Sequence, residues 1–222
     1  MMKSASTLAF DPLDANYRVG FDNICQATGT TVDRGVAGFA DNDDVLNHRS
    51  DWWSSLLAAS PSCATPLRAE TAKIGRYFAG KLSGTDPIEA SCQQNYMILV
   101  TDGYWNESES SSIKGADNAD IGNRDNSTST AARPFYDGEQ AATSCPSIGS
   151  NRGSNASSCR TMADIAWYFY STDLRDAALS NTSNGSIDVS ANNVFTTDDD
   201  KNTAQHMNFY AIGLGIDGSL RF

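Results

Sequence analysis

A chain of 222 residues is long enough for one domain with a sizeable core and too short for two full domains. It is 40% hydrophobic with a formal net charge of −11. That balance repels phosphate backbones and anionic lipid, which argues against nucleic acid and membrane surfaces as partners and makes divalent cations the more natural ones. No apolar stretch approaches the roughly 20 residues that span a bilayer, so no membrane insertion is expected.

Residues 1–10 carry one basic residue and too short an apolar run for a signal peptide, and read as a helix remnant that stops at Asp11-Pro12. Residues 18–24 alternate weakly and predict a strand, and the Gly- and Asp-rich stretch 28–44 has room for another. Val45 to Ala59 has a helix-like pattern built on Leu46, Trp52, Trp53, Leu56 and Leu57, with Asp51 as a first-turn charge. Thr65-Pro66 then reads as an N-cap followed by proline at the first helical position, and Leu67, Thr71, Ile74 and Phe78 form one face of a helix that ends at Gly80.

The apolar run Tyr96 to Val100, closed by Thr101-Asp102-Gly103, predicts a buried central strand of a parallel sheet. In open α/β sheets ligands bind outside the carboxyl ends of the strands, so Asp102 is placed where a metal or substrate would be met. A long polar insertion follows at about 104–160. Its Asp117, Asp120, Asn123 and Asp125 have the oxygen chemistry of calcium ligands but not the spacing of an EF-hand. Thr161 to Asp164 resembles a capping box opening a helix through about Leu174. Asp198-Asp-Asp-Lys reads as a solvated charge run, and residues 208–216 as a second buried strand. This order predicts an α/β protein with a mainly parallel sheet flanked by helices, in which Thr65 and Asp102 share one edge and together can hold a hard cation.

Cys25, Cys63, Cys92, Cys145 and Cys159 contain no Cys-x-x-Cys pair, and the chain has two histidines, His48 and His206; zinc is therefore disfavoured and disulfides are expected. Cys145 with Cys159 is the first expected bridge, worth roughly 3 kcal/mol on the loop-entropy model. Cys63 with Cys92 is the second. Such bridges indicate an oxidising compartment, the periplasm or the cell exterior.

Four blocks carry a resemblance: Thr65-Pro66-Leu67-Arg68; Ile98 to Asn106, which reads Ile-Leu-Val-Thr-Asp-Gly-Tyr-Trp-Asn; Ala163 to Tyr168 with Asp173-Leu174-Arg175; and Gln205-His206-Met207 before Ile212-Gly213-Leu214-Gly215. In this order they resemble the von Willebrand factor A-like region of PilY/PilC-type type IV pilus tip adhesins. The resemblance implies a Rossmann-like A-type fold over residues 1–222, truncated at its first strand, as an internal fragment. It implies a metal-ion-dependent adhesion site in which a D-x-S-x-S loop, a Thr and an Asp bind Mg²⁺ or Ca²⁺. Thr65 and Asp102 match the second and third parts. The first part is not found in place: Asp125 to Ser129 matches as letters but follows Asp102 instead of preceding it. The implied function is non-enzymatic, in pilus biogenesis and cell adhesion, at the cell surface on a pilus or secreted through the periplasm. The implied partners are pilus components and a host or abiotic surface ligand. With two ligands, the cation is expected not to be retained by this chain alone.

The competing reading is a metal-dependent hydrolase using Asp102 at a strand end. Two histidines are few for a two-metal site, and no G-x-S-x-G elbow is present. His206, beside Gln205 at the start of a strand, reads as a structural histidine.

Overall fold

The structure, a computed structural model, describes residues 2–41, 47–60, 62–103, 105, 113–124 and 161–213. The first helix, α1 (Met2–Phe10), stops before Pro12 as predicted, its last turn closed by Asp11 N–H donating to Thr7 O at 3.0 Å. Strands β1 (Arg18–Phe21) and β2 (Arg34–Gly38) pair antiparallel, so the Gly- and Asp-rich stretch does hold a strand. The register shifts at Gly20, where a Cβ would meet Arg34 O and Val36 at 3.0 Å. Helix α2 (His48–Ala58) buries Trp52 and Leu56 with Phe39 in a small aromatic cluster, and Phe10 of α1 packs on it, its ring 4.8 Å from that of Trp52.

Helix α3 (Leu67–Phe78) corrects two expectations. Pro66, not Thr65, occupies the N-cap, because the first intrahelical bond runs from Glu70 N–H to Pro66 O at 3.0 Å. The expected single apolar face is also too narrow, since Arg68, Glu70 and Lys73 are buried along with Leu67, Thr71 and Phe78. The cause is position. On one side Gly75 lies against Phe169 of the helix α4 (Met162–Ser171), and on the other Tyr77 Oη accepts from Val36 N–H of β2 at 2.9 Å.

Strands β3 (Asn95–Thr101) and β6 (Met207–Gly213) pair in parallel over seven residues, from Asn95 opposite Met207 to Thr101 opposite Gly213. Between them come α4, opened by the expected Thr161–Asp164 capping box, and a short hairpin of β4 (Ser183–Asn184) and β5 (Ile187–Asp188). Thus the protein is mixed α/β with a small parallel sheet and helices. Among the described residues, parallel pairing joins one of three strand pairs, where a mainly parallel sheet was expected. The expected burial of both strands holds on one face only: Met97 and Leu99 are buried, while Tyr96, Ile98, Tyr210 and Ile212 are about half exposed. The larger core gathers Leu67, Ala72, Phe78, Ile88, Ile165, Phe169, Leu174 and Met207 under that inner face.

The disulfide pairing is also corrected. Cys63 bonds to Cys25 and leaves Cys92 as a thiol, because the chain after α2 runs back to the 3-10 turn Ile24–Gln26 instead of forward to residue 92. The other expected pair, Cys145 with Cys159, lies outside the described residues.

Candidate functional site

The end of β3 is built by its own side chains. Thr101 is buried, and its hydroxyl accepts from Gly103 N–H and donates to Gly103 O, both at 3.2 Å. This tight turn leaves Asp102 exposed at the strand's carboxyl end. Two residues past the turn, Trp105 returns to lie under the guanidinium of buried Arg68, 5.7 Å from the ring centre. The contact joins the loop after β3 to the first turn of α3, and so brings Asp102 and Thr65 to the same end of the molecule. Thr65 is half-buried, two residues beyond the Cys25–Cys63 bridge that ties down its loop.

This end offers a carboxylate and a hydroxyl, against the six or so oxygens that Mg²⁺ or Ca²⁺ takes. Among the described residues, no group of three His, Cys, Asp or Glu side chains is arranged to hold a metal ion. Among the described residues, the donors at this end therefore fall short of a complete site. Asp125 to Ser129 lies outside the described residues, as do Tyr104 and Asn106.

Other candidates are occupied structurally. Asp120 pairs with Lys114 at 2.6 Å, while Asp117 accepts from Ala119 N–H at 3.0 Å and from Tyr168 Oη at 3.4 Å, so this acidic turn is spent on its own shape. Asp125, the fourth member, is again outside the described residues. His206 is buried, with Nδ1 2.7 Å from Ala204 O and Nε2 2.9 Å from Asp200. His48 Nε2 is likewise engaged, 2.7 Å from Val19 O. Asp200 is thus only half part of a solvated run. Burial works against its charge, but hydrogen bonds from Asn208, from Asn202 N–H and from His206 together hold its carboxyl below the ordinary range.

The Gln205-His206 block has a structural use. Gln205 Nε2 donates to Gln93 O at 3.1 Å and to Ser91 O at 2.5 Å, and its Oε1 accepts from Asn95 at 2.9 Å. Asn95 also donates to His206 O at 3.0 Å. These bonds fix the start of β6 beside the start of β3.

Two buried charge clusters escaped the sequence reading. Asp22 and Lys73 pair at 2.5 Å with side chains 4% and 2% exposed, and Glu70 stands 4.0 Å from the same ammonium. Neither Glu70 oxygen receives a hydrogen bond among the described residues. Burial first, then the Asp22 carboxylate, push the Glu70 carboxyl up to about 9 against the pull of Lys73. The second cluster is Arg175, fully buried, which grips both oxygens of Asp86 at 2.5 and 2.8 Å and donates to Phe78 O at 2.9 Å. The Glu70–Lys73 spacing was a signal of sorts, since two charges three apart inside an apolar stripe need partners.

The class these observations define is a mixed α/β chain with a small parallel sheet and an exposed acidic strand end. The chain is similar over 98% of its length to the type IV pilus biogenesis factor PilY1 of Pseudomonas aeruginosa strain PAO1, at 28% identity. The same factor of strain PAK is 26% identical and that of strain UCBPP-PA14 is 28% identical, again over 98% of the chain. The chain spans about a fifth of the length of these curated relatives, 18 to 19%. No family profile matches it, and no solved structure does. Among the described residues, no helix is long and apolar enough to cross a membrane.

Proposed function

We propose that this chain is a non-enzymatic binding module of a type IV pilus-associated adhesin, a partial von Willebrand factor A-type domain acting in pilus biogenesis and in attachment to a host or abiotic surface. The observation that carries this reading is the similarity to PilY1 pilus biogenesis factors along 98% of the chain. The module works at the cell surface, associated with the pilus. Its two histidines are both bonded to structural partners, and His206 is buried, which speaks against the hydrolase reading. In the source organism, in-frame deletion of the coding region for these residues is expected to reduce surface pili and attachment to plastic together. Piliation and attachment equal to the parent strain would refute it.

Within this reading, Thr65 and Asp102 are two ligands of a shared Mg²⁺ or Ca²⁺ site whose other donors come from elsewhere. The charge of Asp102 attracts the ion, and the turn closed by Thr101 keeps its carboxylate in solvent where a partner's carboxylate can approach. Titration calorimetry of the 222-residue chain with MgCl₂ and CaCl₂ is expected to show affinity no tighter than about 10⁻³ M. A tight stoichiometric site abolished by Asp102→Ala would overturn the partial-site reading.

A further inference from the structure

The cluster of Asp22, Lys73 and Glu70 has the parts of a reaction site as well as those of a charge pair. Lys73 Nζ stands 2.5 Å from Asp22 Oδ2, yet among the described residues that oxygen receives no hydrogen bond, so the nitrogen approaches it out of hydrogen-bond line. A nitrogen this close to one carboxyl oxygen is a neighbour of the carboxyl carbon, and reacting atoms held roughly 3–3.5 Å apart form a near-attack pair. The two oxygens of Asp22 are held differently. Oδ1 accepts from Asn23 N–H at 2.9 Å and from Asp33 N–H at 3.3 Å, two backbone donors on the oxygen where negative charge gathers when the carbon is attacked. Oδ2 is left to the lysine. Glu70 Oε2 lies 4.0 Å from the same nitrogen, and neither of its oxygens is hydrogen-bonded elsewhere among the described residues. The three side chains are at most 4% exposed, which keeps out the water that would reverse a condensation.

We propose that Lys73 and Asp22 condense to an intramolecular isopeptide bond, Nζ to Cγ, with Glu70 as the proton carrier. The ion pair is the state before the reaction. One ammonium proton passes to Asp22 Oδ2, which leaves a neutral amine facing a neutral acid. The Nζ lone pair then forms the bond to Cγ, and the charge that develops on Oδ1 rests on the Asn23 and Asp33 N–H groups. Glu70, which burial keeps protonated, gives its proton to the Oδ2 hydroxyl and takes one from Nζ, so it ends as it began. The Cγ–Oδ2 bond breaks with its electron pair on oxygen, and one water leaves. Nothing is oxidised or reduced, and the event happens once per chain.

The product suits the site better than the ions do. Two buried charges are costly to hold away from water, and condensation removes both. The amide N–H keeps the bond that Nζ donates to Gln26 O at 3.0 Å, and Oδ1 keeps its two backbone donors. Asp22 follows β1 directly and Lys73 lies within α3, so the bond ties the β1–β2 pair to that helix.

Peptide mapping of the protein purified from its native cells tests this without any variant. Reduced, denatured and cut with trypsin, it should yield a branched peptide joining residues 19–34 to residues 69–76, uncut after Lys73 and lighter by one water than the two peptides together. Complete cleavage after Lys73, with both peptides linear, would overturn the proposal. Loss of a water from the 19–34 peptide alone, the mark of a ring closed at Asp22-Asn23, would overturn it too. In the Glu70→Gln variant, made in the same cells and sampled at intervals after synthesis, the branched peptide should form about 100-fold more slowly. The Cys25–Cys63 bridge in that variant reports that the chain has folded. Formation at the parent rate would overturn the part given to Glu70.

Discussion

Burial and the neighbouring Asp22 carboxylate make Glu70 hold its proton well above the ordinary carboxylate range. The charged groups facing it are Asp22, Lys73 and, further out, Asp33, and burial outweighs the one cation among them. Its folded value of about 9 lies above the ordinary 4.5, so the stability this group contributes is complete below pH 4.5 and is lost as pH rises toward 9. The loss is of order 1 kcal/mol per pH unit at most. Glu70→Gln keeps the size of the side chain and removes the titration. Its melting temperature is expected to fall less between pH 5 and pH 9 than that of the parent chain; parallel curves would refute the assignment. Arg175 poses the opposite case, a buried cation whose removal strands Asp86. Arg175→Ala should cost about 3–5 kcal/mol in urea unfolding. The partners in these clusters were not legible in the sequence beyond the Glu70–Lys73 spacing, because Asp22, Asp86 and Arg175 are distant from the groups they meet along the chain. The Thr161–Asp164 cap was legible, because both halves of its exchange lie within one turn.

The elements themselves were readable wherever periodicity or a stop signal was strong: α1 ending before Pro12, α2 on Trp52 and Leu56, and the apolar run of β3. What failed was the environment assigned to them. An apolar run such as Tyr96 to Val100 reads as buried on both faces, yet its outer face lies half exposed among the described residues. Conversely, α3 reads as a surface helix with one apolar stripe, and the crossing of α4 buries the rest. That crossing depends on Gly75, where a Cβ would stand 2.4 Å from the Phe169 ring. Gly75→Ala is expected to destabilise by about 1–3 kcal/mol. Adding Phe169→Leu should recover part of the loss, which thermal denaturation of the single and double variants will show. Full additivity of the two changes would place the effect elsewhere.

Across the whole molecule, the Cys25–Cys63 bridge links the loop before α3 to the turn after β1, closing a separation of 38 residues. Spacing alone could not choose this pair, since connectivity is decided by where the chain returns in space. The double variant Cys25→Ser/Cys63→Ser should lose about 2–4 kcal/mol. Dithiothreitol should lower the melting temperature of the parent chain more than that of the variant, by the share that Cys25–Cys63 contributes. The candidate cation site was half legible. Asp102 could be named from the strand signal and Thr65 only from the resemblance, whereas the Arg68–Trp105 contact that brings their loops together involves two side chains with no local pattern to announce it.

The clasp of Gln205 and Asn95 has a consequence for the order in which the chain acquires its structure. Asn95 and Gln205 are separated by 110 positions, and pairs so far apart are slow to meet because a long loop must close before any contact rewards it. Helices α2, α3 and α4 can form locally, but β3 stays without β6 until residues 205–213 have been made. During that interval Ile98 and its neighbours are an open apolar edge, the kind of segment that captures other chains. The polar clasp at the first residues of both strands belongs to one register alone, since a slip of one residue would break the bonds of Asn95 to Gln205 and to His206 O.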